Sequence, residues 1–334
     1  MRVAVIGAGG WGTALATLLV TIGHHVCLWV RRPALLAQLR ATRENQSYLP
    51  GILLPKDLTY SDSFSEAVNK ADLIILSVPS HALRLVVRQL AAALPETPIL
   101  VSTTKGIEEE TLRPVTSVLR DELPTSLHSR LAVLSGPSFA ADVARGRPTA
   151  VTVAAEQEAI ATAVQQVFSS ARFRVYTTTD VVGVEVGGAV KNVIAIAAGV
   201  SDGLGYGHSA RAALITRGLA EITRLAVRMG ATPKTLSGLS GVGDLVLTCT
   251  SNLSRNHTVG VRIGRGEKVA DLLAGMTTVA EGIRTCRSVF SLAQRLGVEM
   301  PIIEQVHALL YAEKPAQQVV TDLLTRETKP EFSH

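Results

Sequence analysis

The chain has 334 residues, of which 47% are apolar and only 4% aromatic, and its formal net charge is +5 at pH 7. This length predicts two domains, each large enough for its own core, and the composition predicts that the core is aliphatic and rich in alanine. The positive charge contains no run of lysine and arginine interleaved with aromatic residues, so nucleic-acid binding has little support and small anionic ligands are favoured.

The cysteines and histidines suggest neither a disulfide framework nor a metal site. Cys27, Cys249 and Cys286 are far apart and never in C-x-x-C spacing. The eight histidines include no H-x-x-x-H pair, the usual helical spacing of a metal site. We therefore predict a metal-free protein of the reducing cytoplasm.

The N-terminal segment is predicted to fold as strand, glycine loop and helix rather than to enter a membrane. The run from Val3 to Gly23 is apolar, but five glycines interrupt it and no cleavage site follows a clean apolar stretch. Arg2–Ile6 has the β-branched, apolar composition of a central parallel strand. The residues after the glycine loop predict a helix that ends before Gly23.

The glycine loop between that strand and helix predicts a dinucleotide-binding site. Its sequence, Gly7-Ala8-Gly9-Gly10-Trp11-Gly12, matches G-x-G-x-x-G. Gly7 permits the tight turn, Gly9 lets the backbone approach a pyrophosphate, and Gly12 lets helix and strand pack closely. The N-terminus of the helix then offers unpaired N–H groups to the phosphates.

The end of the second strand, at residues 25–30, indicates which nucleotide binds. NAD-binding folds usually place an acidic residue there against the ribose 2′-hydroxyl, whereas this chain has Arg31 and Arg32. Guanidinium groups at this position predict contacts with the 2′-phosphate of NADP(H), and a solvated arginine pair in a loop is the alternative. We favour NADP(H) as the cofactor, with NAD(H) also possible.

The remainder of the first domain adds two candidate loops. Lys105 follows a predicted strand and is placed to meet an anion, although a solvated loop lysine fits the same spacing. The segment 136–140 offers backbone N–H groups and a hydroxyl, or an ordinary turn and helix cap. Residues 45–51 are predicted as a loop. Further strands are predicted at 72–78, 98–102, 131–135, 149–154 and 173–176.

From residue 181 onwards helical periodicity replaces the strand pattern, and a single lysine stands out. Lys191 lies within a run of small apolar residues at 186–199, which predicts a buried helix ending near Gly199. A buried ammonium must pair, reach a cavity or lose its proton easily, and the last case suits a general base. Snorkelling to the surface, or pairing with Glu185, is the alternative. Helices are predicted near 181–200, 209–229, 255–265, 279–297 and 301–311.

Two breaks between these helices carry polar residues. Residues 238–245 are predicted as a glycine-rich turn that presents Asp244. Ser254 is predicted to cap a helix that begins at Arg255, an arrangement that binds phosphate or carboxylate groups; a surface arginine behind an N-cap is the alternative. We divide the chain into a nucleotide-binding domain at 1–180, a helical domain at 181–326 and a frayed tail at 327–334.

Taken together, these motifs resemble the bacterial NAD(P)-dependent sn-glycerol-3-phosphate dehydrogenases from one end of the chain to the other. Each motif alone is weak, but their combination in this order and spacing is highly specific. The motifs are Gly7-Ala8-Gly9-Gly10-Trp11-Gly12-Thr13-Ala14, Tyr48-Leu49-Pro50-Gly51, Thr104-Lys105-Gly106, Ser135-Gly136-Pro137-Ser138-Phe139-Ala140, Val190-Lys191-Asn192, Gly241-Val242-Gly243-Asp244-Leu245 and Ser254-Arg255-Asn256.

The resemblance implies an α/β fold: a Rossmann-type parallel-sheet domain, then an all-helical substrate domain, with the active site between them. It implies interconversion of dihydroxyacetone phosphate and sn-glycerol 3-phosphate, a role in supplying the phospholipid backbone, and a homodimer. Lys191 matches the proton acceptor, with Asn192, Asp244 and Thr248 at further active-site positions. The positions that match substrate contacts are Lys105, Gly136, Ser138, Lys191, Asp244, Ser254, Arg255 and Asn256. Besides Gly7, Gly9 and Gly12, the cofactor positions are Gly10, Trp11, Arg31, Arg32, Tyr48, Lys105, Ala140, Arg255, Val279 and Glu281.

Two other functions are compatible with parts of this pattern. Another reductase on the same fold plan, of the β-hydroxyacid or ketopantoate type, is not expected to combine Gly136-Pro137-Ser138 with Ser254-Arg255-Asn256. A non-catalytic NADP(H) sensor has no need of the combination of Lys191, Asp244 and Arg255.

Overall fold

The computed structural model describes residues 1–275, 280–328 and 330–331. Its strands are β1 (Arg2–Ile6), β2 (His25–Trp29), β3 (Glu44–Asn45), β4 (Leu49–Leu53), β5 (Thr59–Ser61), β6 (Leu73–Leu76), β7 (Ile99–Ser102), β8 (Leu131–Ser135), β9 (Thr149–Ala154) and β10 (Phe173–Thr178). Eight of these strands form one sheet in the order β10-β9-β8-β7-β6-β1-β2-β5, and β3 pairs with β4 separately. The central strands are parallel, as predicted for a Rossmann-type domain.

Helices cover both faces of this sheet. Alternate residues of β1 lie in different cores: Val3 and Val5 pack with α1 on one face, and Ala4 and Ile6 pack with α4 on the other. A strand buried on both faces needs apolar residues throughout, so it shows no alternation of apolar and polar positions. The helices are α1 (Gly10–Thr21), α2 (Pro33–Thr42), α3 (Phe64–Ala67), α4 (Ser80–Ala91), α5 (Val115–Glu122), α6 (Ala140–Ala144) and α7 (Glu158–Phe168), with a 3-10 helix at Thr125–Arg130.

The far edge of the sheet departs from the parallel pattern. β9 pairs antiparallel with β8, although β9 and β10 are parallel to each other. Between β8 and β9 the chain forms only the five-residue helix α6, which at about 1.5 Å per residue is too short to return the chain along the length of a strand. β9 therefore runs back from the end of the sheet where β8 stops.

The predicted loop at 45–51 was wrong in part. These residues contain the end of β3 and the start of β4, which pair antiparallel with a register shift. Pro50 and Gly51 are breakers by residue type, but both are exposed in β4, and a strand outside the main sheet tolerates them. Strand β5, at the edge of the main sheet, was not predicted at all.

The described residues after 178 form helices and contain no strand. The helices are α8 (Val181–Gly203), α9 (Gly207–Arg228), α10 (Pro233–Leu236), α11 (Asp244–Thr250), α12 (Arg255–Gly264), α13 (Val269–Ala274), α14 (Glu281–Leu296), α15 (Pro301–Tyr311) and α16 (Ala316–Leu324), with a π-helix at Leu239–Gly243. The predicted sheet domain followed by a helical domain is confirmed. The exact division at residue 180 stays a prediction, and residues 329 and 332–334 of the predicted tail lie outside the described residues.

Helix α8 is the centre of the helical part. Among the described helices it alone is long and apolar enough to cross a membrane by length and composition, with a mean hydropathy of 1.6 over its most apolar 18 residues. However, 89% of that 18-residue stretch is buried inside the protein. Its apolar residues belong to a core shared with α9, α12, α14 and α15. The helix is therefore a core element, and its hydropathy reflects contact with other helices.

Two glycine segments were predicted wrongly. Helix α8 does not end near Gly199 but continues to Gly203, and the turn predicted at 238–245 is instead a π-helix, at Leu239–Gly243, followed by the start of α11. In both places glycine permits close packing instead of ending a helix. A Cβ on Gly199 would lie 2.1 Å from the carbonyl oxygen of His257, and one on Gly241 would lie 2.0 Å from that of Leu236.

Candidate active site

The glycine loop has the geometry expected of a nucleotide-binding turn. Gly7 has a φ of +120°, and a Cβ there would lie 2.4 Å from the carbonyl oxygen of Ser77 on the neighbouring strand end. A Cβ on Gly12 would lie 2.0 Å from the carbonyl oxygen of Gly7. Around Gly9, by contrast, nothing lies within 4 Å of a Cβ position. The loop is closed at its base and open at Gly9, where a pyrophosphate has room to approach.

The segment that begins at β3 covers one side of this loop. The buried Asn45 amide donates to the carbonyl oxygen of Ala8 at 3.0 Å and to Thr13 Oγ1 at 2.8 Å. As a result, a Cβ on Gly10 would lie 2.7 Å from the carbonyl oxygen of Tyr48. Asn45 was missed as a site residue, since nothing in the sequence distinguishes a buried asparagine from a turn asparagine.

The two arginines predicted to contact the 2′-phosphate of NADP(H) lie together at the carboxyl end of β2. Arg31 and Arg32 are exposed, and the guanidinium carbon of Arg32 is 5.2 Å from the centre of the Tyr48 ring. Arginine stacked on an exposed aromatic ring forms a flat cationic surface suited to a phosphorylated nucleotide. Trp11, at the start of α1, packs against the core on the same face of the sheet as Val3 and Val5. Ala140 Cβ lies 3.7 Å from the Cβ position of Gly10.

Lys191 lies at the centre of a buried cluster of charges. Its Nζ is 2.5 Å from Asp244 Oδ1 and 2.7 Å from Thr248 Oγ1. The other oxygen of the same carboxylate, Asp244 Oδ2, is 2.5 Å from Lys105 Nζ. Lys191 is only 6% exposed and Asp244 only 1%. The alternative of a pair with Glu185 does not hold, because that carboxylate accepts hydrogen bonds from the backbone N–H and hydroxyl of Thr116.

These surroundings adjust the proton affinity of Lys191. Burial lowers its pKa to about 8; the charge of Asp244 opposes this fall, and that of Lys105 adds to it. An amine with a pKa close to neutrality can exchange a proton in either direction. Thr248 Oγ1 donates to the carbonyl oxygen of Asp244 at 2.6 Å, so its lone pairs face the Lys191 ammonium.

Asn192 and Asn256 join the helices around this cluster. Asn256 Nδ2 donates to Asn192 Oδ1 at 2.9 Å, and Gly282 N donates to Asn256 Oδ1 at 2.9 Å. A Cβ on Gly282 would lie 2.6 Å from the carbonyl oxygen of Asn192, so only glycine fits there. The two amides fix α8, α12 and α14 to one another.

The N-terminus of α12 presents Arg255 beside this cluster. Ser254 Oγ accepts a hydrogen bond from His257 N at 3.2 Å, as predicted for an N-cap. The neighbouring Glu281, the first residue of α14, senses three cations: burial raises its pKa, while the charges of Arg255, Lys105 and Lys191 lower it. Cations from α12, from the sheet part and from α8 therefore act on one carboxylate. Val279 precedes this helix and lies outside the described residues.

The turn after β8 approaches the same region from the sheet. Gly136 has a φ of +145°, and a Cβ there would lie 2.9 Å from Val151 Cα. Ser138 Oγ donates to the carbonyl oxygen of Gly136 at 3.1 Å. Pro137 Cγ is 3.5 Å from the Cβ position of Gly243, the residue before Asp244. The turn therefore packs against the start of α11.

Two family models match the chain and together span most of it. The description of one is "NAD-dependent glycerol-3-phosphate dehydrogenase N-terminus", matching residues 2–161, and that of the other is the C-terminus of the same enzyme, matching residues 180–321. The chain belongs to the NAD-dependent glycerol-3-phosphate dehydrogenase family. The resemblance inferred from the motifs is confirmed.

Curated members of the glycerol-3-phosphate dehydrogenase family are similar along the entire chain. The glycerol-3-phosphate dehydrogenase (NAD(P)+) of Geobacter sp. (strain M21) is 52% identical over 330 residues, covering 99% of this chain and 98% of that relative. The enzyme of the same name from Anaeromyxobacter dehalogenans is 54% identical over 336 residues, covering 99% of this chain and all of that relative.

Solved structures of family members share the fold. The glycerol-3-phosphate dehydrogenase of Coxiella burnetii has a TM-score of 0.92 at 38% identity, covering 97% of this chain and 99% of that one. A ketopantoate reductase from Ralstonia eutropha JMP134 has a TM-score of 0.60 at 19% identity, covering 96% of this chain and all of that one. The second likeness shows a common fold only, and the rival reductase reading gains no support from it.

Proposed function

We propose that this chain interconverts dihydroxyacetone phosphate and sn-glycerol 3-phosphate, using NAD(P)H. The observation that carries this proposal is the buried ion pair of Lys191 and Asp244, with Lys105 on the same carboxylate. A proton-transfer group, cations for a phosphate and an open glycine loop for a nucleotide are the groups that such a reaction needs.

In this proposal Lys191 moves the proton. During reduction of the ketone its ammonium donates a proton to the oxygen on C2, and during oxidation its neutral amine takes the hydroxyl proton. With a pKa of about 8 both forms are populated near neutral pH, whereas an ordinary lysine at about 10.4 is almost entirely protonated. Asp244 and Thr248 hold Nζ in position through the hydrogen bonds described above, and Asn192 fixes the helix beside it.

Arg255 and the N-terminus of α12 are proposed to bind the phosphate. The first N–H groups of a helix and an arginine side chain both favour a dianion. Ser254 uses its oxygen to cap the helix, so its hydroxyl hydrogen can be donated to a phosphate oxygen. The other proposed substrate contacts are Lys105, Gly136, Ser138, Lys191, Asp244 and Asn256.

The residues around the glycine loop fit a dinucleotide. Open space at Gly9 and the unpaired N–H groups at the start of α1 suit a pyrophosphate. When bound, the nicotinamide supplies or accepts the hydride at C2 of the substrate. The residues proposed to hold the cofactor are Gly7, Gly9, Gly10, Trp11, Gly12, Arg31, Arg32, Tyr48, Lys105, Ala140, Arg255, Val279 and Glu281.

The chain accepts NAD(P), and we propose that NADP(H) is preferred. The exposed pair Arg31 and Arg32 lies where an acidic residue would bind the 2′-hydroxyl of NAD, and Arg32 lies over Tyr48. We further propose a cytoplasmic homodimer that supplies glycerol phosphate for phospholipids. Three free cysteines suit a reducing compartment.

The test is the loss of reduced-nicotinamide absorbance when dihydroxyacetone phosphate is added, with NADPH and NADH measured side by side. Rapid oxidation that Lys191→Ala slows by roughly 10²–10⁴-fold is the expected result, with the faster rate for NADPH. If both cofactors bind but neither is oxidised, the assigned substrate is wrong, and other 2-keto compounds are tested next.

A further inference from the structure

The helix that presents Arg255 runs parallel to the helix that carries Lys191, with their backbones in contact. A Cβ on Gly199 would lie 2.9 Å from Gly260 Cα, and a Cβ on Gly203 would lie 2.9 Å from Gly264 Cα. The two pairs advance in the same direction along α8 and α12, which makes the helices parallel. The N-terminus of α12 therefore lies beside the part of α8 that contains the catalytic lysine.

A contact made of glycines brings two helices close but has few side chains to fix their rotation and axial shift. Polar bonds outside the glycine pairs must supply that order. One is the Asn256–Asn192 bond, which lies in the site itself. The other joins His257 of α12 to Asp202 of α8, with Nε2 2.8 Å from Oδ2. Because a carboxylate oxygen only accepts, the His257 ring carries its hydrogen on Nε2.

The Asp202 carboxylate is itself held from a third helix. Arg211 of α9 donates from Nη1 to Asp202 Oδ2 at 2.7 Å. The carboxylate that accepts from His257 is therefore also held in place by α9. His257 is only 3% exposed, and its backbone carbonyl packs against Gly199 of α8. The pair is therefore a partly buried, directional bond between two helices, of the kind that determines register.

His257 is also part of the cap of α12. Its backbone N–H donates to Ser254 Oγ, and the two residues between them are Arg255 and Asn256. A single residue thus ties the first turn of α12 to the cap through its backbone and to α8 through its side chain. A displacement of His257 would therefore displace the turn that is proposed to bind the substrate phosphate.

We propose that Asp202 and His257 are positioning residues, which hold the phosphate-binding turn at a fixed distance from Lys191. The inference rests on the proposed function, because it assumes that the turn binds the phosphate while Lys191 serves the carbonyl group. Neither residue is among the proposed substrate contacts. Their effect is to align the bound phosphate with the reacting carbon, where a displacement near 1 Å is able to cost about 10²-fold in rate.

The experiment compares dihydroxyacetone phosphate with dihydroxyacetone, which has the same ketone but no phosphate. For His257→Leu we expect kcat/KM to fall roughly 10-fold to 100-fold with the phosphorylated substrate, and to change less than about twofold with dihydroxyacetone. His257→Gln, which presents an N–H at similar reach, should restore most of the loss. An unchanged ratio between the two substrates overturns the inference.

The control is Glu221→Gln, which alters another buried carboxylate of the helical part. Glu221 accepts a hydrogen bond from Ile302 N at 2.7 Å and has no part in α12. Any loss there should be equal for both substrates, as it should be for a merely structural role of His257. If His257→Leu does not fold, Asp202→Ala, which removes the acceptor, provides the same ratio, and an unchanged ratio there has the same meaning. If the wild-type protein does not reduce dihydroxyacetone phosphate at all, the proposed function itself is wrong.

Discussion

The Lys191 ammonium and the Asp244 carboxylate form a buried ion pair, with Nζ 2.5 Å from Oδ1. Lys105 occupies the other oxygen of the same carboxylate, so two cations share one anion. The cluster keeps a net positive charge, which favours an anionic substrate, and the charge of Lys105 also disfavours the protonated form of Lys191. Asp244 works against this effect, and the pKa of about 8 is the resulting balance.

The first prediction concerns Lys191 and pH. The reduction of the ketone needs the ammonium, so its rate should fall as the pH rises through about 8, while the rate of glycerol phosphate oxidation should rise over the same range. Lys191→Ala should lose roughly 10²–10⁴-fold in kcat and retain cofactor binding. Steady-state rates from pH 6 to 10 in both directions check this. If the rates of reduction and oxidation both rise, or both fall, with pH over this range, Lys191 is excluded as the titrating group.

The second prediction concerns the effect of the Asp244 charge on the pKa of Lys191. The charge of Asp244 raises the pKa of Lys191 against the effect of burial. Asp244→Asn should therefore lower that pKa further. The pH at which the reduction rate falls and the pH at which the oxidation rate rises should both become more acidic, and kcat should also decrease. The measurement is the same pair of pH profiles. A limb that moves to more alkaline pH would mean that the carboxylate does not act through charge.

The third prediction concerns the phosphate. Arg255→Ala should raise KM for dihydroxyacetone phosphate by about 10-fold to 100-fold, corresponding to one charged hydrogen bond of roughly 1.5–3 kcal/mol. The matched control is Arg265→Ala, which removes an exposed arginine at the other end of α12 and should leave KM unchanged. A loss confined to cofactor affinity would show that Arg255 does not bind the substrate phosphate.

The fourth prediction concerns the nucleotide. Arg32→Asp should lower the NADPH/NADH ratio of kcat/KM by about 10-fold or more, because a carboxylate repels the 2′-phosphate and accepts a hydrogen bond from the 2′-hydroxyl. Arg40→Asp makes the same charge change on the exposed side of α2 and serves as the control. An unchanged ratio for Arg32→Asp would refute contact with the 2′-phosphate.

The sequence predicted the parts of this molecule that depend on local pattern. Gly7 to Gly12 and the helix of Lys191 follow from residue type and period, and the order of the motifs identified the family. What sequence could not predict depends on partners remote in the chain. Asn45 reaches the glycine loop across 37 positions, and Gly199 continues its helix because α12 packs against it. An exposed glycine or asparagine often ends a helix or strand, whereas a buried one can lie inside a packed contact. Which of these applies depends on tertiary structure, which the local sequence does not show.

Glu185 shows the same dependence on a distant partner. It lies on α8, and its carboxylate accepts two hydrogen bonds of 2.7 Å from Thr116 at the start of α5, one from the backbone N–H and one from the hydroxyl. These bonds connect the helical part to the sheet part. Burial nevertheless raises the pKa of Glu185 to about 7, and the bonds from Thr116 lower it only in part.

The fifth prediction is that this glutamate makes stability fall with rising pH. In the unfolded chain its pKa is about 4.3, so between that value and about 7 the folded state holds a proton that the unfolded state has lost. The contribution is fully present below about pH 4 and is lost as the pH rises through the folded value. Glu185→Gln removes this loss, so its free energy of unfolding should exceed that of the wild type by roughly 1–3 kcal/mol at pH 8 and by little at pH 5. Urea unfolding at the two pH values measures the difference, and Glu158→Gln, an exposed glutamate on α7, should show none. A variant equally destabilised at both pH values would mean that the hydrogen bonds to Thr116, rather than the ionisation, determine the contribution of Glu185.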